Sequence, residues 1–228
     1  MKLYPYFFFI CILFSFSSNA QFTSGGISAQ GGPGYVSYHA TGFSNVSTSN
    51  QAMFSFQSGV FATYSLTKKS GLEAELNYLL QQGEFKNYIS NLYVGSTIGE
   101  GTDVFTTKLG YLTLPIRYTY SIHHFTLMGG IQTGILLHGR SFEDGSASSS
   151  DTTYYWSTES PVDYLKTIDF GITLGGQENI SDRLFVSLTI FHSLFNMFPD
   201  NPVGASQRNT NVLAGIGYRL FTPKSKGS

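Results

Sequence analysis

The sequence predicts an all-β fold: an antiparallel up-and-down transmembrane β-barrel of about 8 strands, preceded by a signal peptide. Three observations carry this. The first is period-two alternation. In Leu72-Glu-Ala-Glu-Leu-Asn-Tyr78, Leu72, Ala74, Leu76 and Tyr78 share one parity, and Glu73, Glu75 and Asn77 share the other. Successive strand residues point to opposite faces, so this strand meets an apolar and a polar environment at once. Carboxylates repeated on one face need partners or water, because an unpaired buried charge is costly. The second is that no apolar run beyond the N-terminal segment reaches the roughly 20 residues of a membrane-spanning helix, so a membrane protein of this sequence spans with strands. The third is a sorting of connections, alternately long and short along the chain, as in outer-membrane barrels with their short periplasmic turns and longer external loops.

The N-terminus reads as a cleaved leader. Lys2 is its one charge, Leu3 to Phe14 is almost wholly apolar, and Ser18-Asn19-Ala20 fits the small-x-small rule, which places cleavage after Ala20. The expected organisation is therefore a signal peptide over 1–20, a barrel over 21–221 and a C-terminal tail over 222–228. Cys11, the single cysteine, falls in the leader, so the mature chain has no thiol chemistry. Removing Lys2 leaves 12 basic against 14 acidic residues, a net charge of −2. That excludes a nucleic-acid footprint. Charged residues make up 12% of the chain, where about 25% is usual for a soluble surface. The 20 Phe and 15 Tyr against one Trp suit lipid-facing strands and interfacial girdles.

In order, Phe22 to Ala29 is a weak, Gly-rich first strand, and Gly31 to Gln51 reads as a long polar loop. Phe54, Phe56, Val60, Ala62 and Tyr64 then alternate with Ser55, Gln57, Gly59 and Thr63. A short turn at Thr67 to Gly71 leads into the Leu72 strand, which runs to about Phe85. Lys86 to Asp103 is the second long loop. Leu112, Leu114, Ile116, Tyr118 and Tyr120 face one way, and Thr113, Pro115, Arg117 and Thr119 the other. Pro115 removes a ladder donor, but alternation on both sides of it keeps the strand. His123-His124 is a tight turn, and Phe125, Leu127, Gly129, Ile131, Ile135 and Leu137 continue outward. Gly139 to Tyr164 is the longest loop. Ile168 to Gly175 and Leu184 to Ile190 are strands joined by a turn at Asn179 to Asp182, with Phe185 and Phe191 breaking the contrast. Asn196 to Arg208 is the fourth loop, and Val212 to Leu220 the last strand.

Five segments resemble the PorT-like family of outer-membrane β-barrel proteins in order and spacing: Leu72 to Tyr78, Leu112 to Tyr118, Met128 to Gly134, Asp169 to Gly175 and Gly215 to Phe221. The resemblance runs from about residue 52 onward. It implies an outer-membrane barrel of the Gram-negative cell envelope, in a family whose members usually have no assigned function. One member is tied to protein secretion, a role not carried over here. Outer-membrane barrels commonly end on an aromatic residue, whereas here Phe221 is followed by seven more residues.

The expected role is structural or binding, through extracellular loops and without a pore. Alternatives are an integral outer-membrane enzyme acting on envelope lipid, and a soluble ligand-binding β-barrel. The last would need apolar inward faces, which Glu73, Glu75, Arg117, Asp169 and Arg219 oppose. These five are the expected interior polar cluster, with Glu75 and Arg117 at similar heights and Gly130 opposite Arg117. No catalytic, cofactor or metal residues are assigned. His192-Ser193 is the one Ser/His neighbour pair, but adjacent strand residues face opposite sides. His123-His124 is expected to be a solvated turn. Glu143, Asp144, Asp151, Glu159 and Asp163 do not match a calcium loop, and Tyr154-Tyr155-Trp156 reads as an interfacial anchor. Expected partners are outer-membrane lipid and lipopolysaccharide and the barrel-insertion machinery. The chain is expected to be monomeric.

Overall fold

The computed structural model describes residues 22–39, 46–94, 97–149, 152–162, 165–198 and 206–222. The expected signal peptide and nearly all of the expected tail lie outside them. The strands are β1 (Phe22–His39), β2 (Val46–Ser65), β3 (Ser70–Val94), β4 (Thr97–Ile122), β5 (Phe125–Ser148), β6 (Thr153–Pro161), β7 (Ile168–Asn179), β8 (Leu184–Ser193) and β9 (Ser206–Phe221). All pair antiparallel. The sheet order β4-β3-β2-β1-β9-β8-β7-β5-β6, with β4 also paired to β5, closes eight strands into a ring. Closure leaves no unpaired edge in the wall, which a strand needs in hydrocarbon.

The ninth strand, β6, is outside the ring. The half of β5 from Phe125 to Ile135 pairs with β7, and the half from Arg140 to Ser148 pairs with β6. This corrects the expected loop over Gly139 to Tyr164, most of which is a β5–β6 hairpin. The expected loops over Gly31 to Gln51 and Lys86 to Asp103 are likewise mostly strand. Continued cross-strand pairing satisfies their backbone: Val46 to Ala52 faces Gly83 to Ile89, and Gly83 to Ile89 faces Gly101 to Thr107. The Gly, Ser, Thr and Asn content of these stretches suggested turns, but hydrogen-bonded neighbours override local propensity. β3, β4 and β5 reach 25, 26 and 24 residues, where a tilted strand crosses a bilayer in about 9–11.

Three short connections gather at one end: 66–69, His123–His124 and 180–183. His123 has φ 57°, as a two-residue hairpin turn of the primed type requires. The opposite, long-loop end carries the strand extensions and β6. Around the wall, Leu72, Leu76, Leu112, Ile116, Ile131, Ile172, Leu188 and Ile216 are exposed. A band of this extent is a liability in water and fits lipid. Tyr64, Tyr118, Tyr120, Tyr218 and Phe221 cluster toward the short-turn end of the same surface.

The interior is not polar throughout, as alternation alone had suggested. At the long-loop end the inward Leu79, Leu109, Tyr111 and Leu213 form one apolar cluster with Val162, Leu165 and Met197. The last three come from the segments between strands, which fold back into the mouth. Lys166 N donates to Met197 O at 2.8 Å, and Met197 N to Gln207 O at 2.9 Å. Gly139 is required here, because a Cβ at that position would overlap Val162 Cγ2.

Candidate functional site

The barrel interior holds the expected polar residues, and the register explains which of them meet. Glu73 pairs directly with Arg117, and Arg117 with Gly130. A Cβ at Gly130 would overlap the Ile116 carbonyl oxygen, so glycine permits the close strand approach beside the guanidinium. Arg117 Nη2 donates to Glu73 Oε1 at 3.0 Å and also contacts Glu75 Oε1. Side-chain exposures of 2% for Arg117, 7% for Glu73 and 6% for Glu75 make this a desolvated triad. Glu73, not Glu75, is level with Arg117; Glu75 reaches across diagonally. Asn77 Nδ2 donates to Glu75 Oε2 at 2.7 Å, giving the second carboxylate a further donor. One cation between two carboxylates leaves a formal excess of negative charge, which such donors offset.

Asp169 and Arg219 do not join this triad. Asp169 lies nearer the apolar cluster. Ser193 Oγ donates to its Oδ1 at 2.5 Å, and Asn209 Nδ2 to its Oδ2 at 2.7 Å. Asn209 Nδ2 also reaches Tyr111 Oη at 3.1 Å. Asn211 Nδ2 donates to Gln81 Oε1 at 3.0 Å, and Gln30 bridges Ser187 and Thr189 at 3.0 and 2.8 Å. Arg219 sits at the short-turn end, donating to Asn179 Oδ1 at 2.6 Å and Asp182 O at 3.2 Å, with its guanidinium 4.9 Å from the Phe185 ring centre. It lines a cavity of about 620 Å³ that opens at the short turns and that Glu73, Thr63, Thr119, Thr126 and Gln177 also line.

Sequence reasoning missed Ser193, Asn209, Tyr111 and Gln81 as interior partners. Asn209 falls between the expected fourth loop and the expected last strand, and Tyr111 before the clearest alternation, so neither gave a signal. Phe61 and Phe185 are buried inward aromatics, edge-to-face at 5.4 Å, so the break in contrast at Phe185 was an interior filler.

The pieces considered for chemistry are dispersed. His192 and Ser193 face opposite sides of β8: His192 Nδ1 meets Thr210 Oγ1 at 2.9 Å, while Ser193 is buried against Asp169. His123 and His124 are exposed in their turn. Glu143 accepts from Trp156 Nε1 at 3.1 Å, and Arg140 Nη1 donates to Glu159 at 2.5 Å. Asp144 is exposed, and Asp151 and Asp163 lie outside the described residues. Tyr154, Tyr155 and Trp156 pair with Ala147, Ser146 and Gly145. That is eight or more residues past Leu137, roughly 20 Å beyond the apolar band. The expected interfacial anchor is therefore corrected: β5 carries β6 away from the bilayer. Near them, Asp103 lies on the β4 extension, and burial, then the Glu143 carboxylate, raise its pKa above the usual carboxylate range.

At the long-loop mouth the rings of Tyr38, Phe85 and Phe105 stack at centroid distances of 4.5 and 4.7 Å. They line a groove of about 350 Å³ with Asn87, Ser141, Glu143 and Ser160.

No curated protein matches the chain. Among solved structures, it is similar to Ail of Yersinia pestis in complex with the heparin analogue sucrose octasulfate, at 13% identity over 86% of this chain and 99% of that one, with a TM-score of 0.38. It is similar to the outer membrane protein OprG of Pseudomonas aeruginosa at 12% identity, over 88% and 98%, with a TM-score of 0.38. It is also similar to the outer membrane protease OmpT of Escherichia coli at 8% identity, over 89% and 98%, with a TM-score of 0.40. The model of one family, the outer membrane protein beta-barrel domain, matches residues 16–199. The closed ring, its apolar outer band and that match together identify the chain as a member of the outer membrane protein beta-barrel domain family, located in the cell outer membrane.

Proposed function

We propose that this is a non-conducting, non-enzymatic barrel that acts as a binding platform at the cell surface, and that it belongs to the PorT-like branch of its family. The five ordered segments from Leu72 to Phe221 support that branch. The long-loop end is the extracellular one, following the asymmetry of outer-membrane barrels, and both termini are periplasmic. One observation carries the binding role. The strands do not stop at the bilayer: β2 to β5 continue as a hydrogen-bonded sheet, and β6 adds a nine-residue strand with eight exposed residues. Such a sheet is stiff and pre-ordered, which lowers the entropy lost on binding. Among the described residues β6 pairs only with β5, so its other edge is open to an extended segment of a partner. Against a Ser/His mechanism, the Ser193 hydroxyl is committed to the Asp169 carboxylate while His192 stands on the opposite face, so no imidazole reaches it.

The test has two arms. Cysteines at Ser148 and Lys68 should differ, the first labelled on intact cells and the second only after lysis; the reverse would invert the barrel. A photo-crosslinking residue at Tyr155, which is 80% exposed, should trap a macromolecular partner on intact cells, and one at Lys68 should not. Equal adducts at both positions, or none at Tyr155, would remove the platform reading.

A further inference from the structure

We propose that Lys108, Arg140 and His138 form a site on the outer wall for a phosphate group of a phosphorylated glycolipid in the outer leaflet. On β4 the outward row Tyr120, Tyr118, Ile116, Leu114, Leu112 is apolar or aromatic. At ~3.3 Å per residue and a tilt of ~40° it covers roughly 20–25 Å, the height of an outer-membrane apolar band. The next outward positions are Gly110 and Lys108, so Lys108 is the first charge above the hydrocarbon on that strand.

Register then brings the other two groups to it. Gly110 pairs with His138 and Lys108 with Arg140, and the pairing shifts between Gly110 and Tyr111. Cross-strand partners share a face, so the shift delivers His138 and Arg140 to the surface that carries Lys108. All three are exposed.

Two cations directly opposite on neighbouring strands repel, an arrangement that destabilises a sheet. The protein offsets it only partly. Arg140 has Glu159 at 2.5 Å, but the two side chains are 69% and 47% exposed, and an ion pair in water contributes little. Lys108 Nζ lies 5.1 Å from the Phe142 ring centre, and among the described residues no carboxylate is within ion-pair distance of it. On the β3 side the nearest charges, Lys86 and Glu84, pair with each other at 3.4 Å. The patch keeps one uncompensated positive charge at the depth where lipid headgroups lie.

A phosphate fits this geometry. The ammonium and the guanidinium both donate to phosphate oxygens, the guanidinium through two parallel bonds. The same anion removes the cross-strand repulsion. Tyr78 Oη holds His138 Nε2 at 3.0 Å, which fixes the ring at the lower rim. The lipid supplies what a free phosphate lacks: acyl chains that lie along the apolar row beneath.

This inference rests on the orientation proposed above, which the Ser148 and Lys68 labelling tests separately. The direct experiment uses the full mature chain folded in detergent and mixed with bis-phosphorylated lipid A, with retention counted by native mass spectrometry. Lys108→Gln with Arg140→Gln should weaken retention about tenfold or more, since each near-surface cation contributes a several-fold effect. Lys68→Gln with Lys69→Gln removes the same charge at the short-turn end and should leave retention unchanged. Dephosphorylated lipid A should bind the wild-type chain as weakly as phosphorylated lipid A binds the Lys108/Arg140 variant. Both variants should keep heat-modifiable gel migration, which shows that the barrel is folded. Equal retention by the two variants would overturn the proposal. So would equal retention of phosphate-free lipid, or full displacement by millimolar inorganic phosphate, which would mark a site for the free ion.

Discussion

The two halves of the barrel interior are filled by different physics. Toward the short turns, a guanidinium and two carboxylates from adjacent strands share the lumen with Phe61, Phe185 and Arg219. Toward the long loops, Val162, Leu165 and Met197 close it with apolar side chains that the chain brings back from outside the ring. The first plug is local in register: Glu73 and Arg117 are direct cross-strand partners. The second is assembled from five separate stretches of sequence. An eight-stranded barrel is only wide enough for side chains to fill, and this molecule fills it twice. The ionic half depends on pairing, because each charge is costly without its partner. The apolar half depends on volume.

The largest expected effect comes from breaking the ionic half. Arg117→Ala strands two buried carboxylates and should cost roughly 3–5 kcal/mol in the unfolding free energy, read as a lower urea midpoint in detergent. Adding Glu75→Gln should restore part of that loss; a strictly additive double mutant would mean that the contact carries no coupling.

The apolar half should yield somewhat less. Leu109→Ala removes a fully buried side chain and should cost about 2–5 kcal/mol, with the lower end expected because the returning segments can settle into the space. Position 109 lies about 25 Å along the strand from position 117, so the two losses should add. Non-additivity would show that the halves act as one plug.

Conductance sharpens the same contrast. Two closures in series predict no steady current in planar bilayers from the wild-type chain or from either single replacement. Current from Arg117→Ala alone would show that the apolar half does not seal.

The smallest effect belongs outside the lumen. Asp103 has a raised pKa in the fold, so the folded state favours its protonated form. Its ionisation therefore works against folding: the associated stability is complete below the unfolded-state pKa and is lost as pH rises through the folded one. Asp103→Asn should slow amide exchange in the β4–β5 extension at neutral pH and change nothing near pH 3. A larger effect at low pH would reverse the sign of the argument.

The sequence by itself determined the wall. Alternation from Leu72 to Tyr78 and from Leu112 to Tyr120 assigns faces, because a strand has only two, and the turns at His123–His124 and at Asn179 to Asp182, the latter within one residue of the observed 180–183, follow from breaks in that alternation. Once those turns are placed, Gly130 falls opposite Arg117 by counting residues. Tertiary structure decided what period-two reasoning cannot reach. The Gly-, Ser- and Asn-rich stretches became strand because a neighbour was present to pair with, not because their residues favour it. Asp169 and Arg219 share the polar parity of Arg117 but lie at other depths, and parity carries no depth. Nor does alternation within strands contain any information about Val162, Leu165 and Met197, which lie between strands and are buried only because they pack against inward side chains of the closed ring.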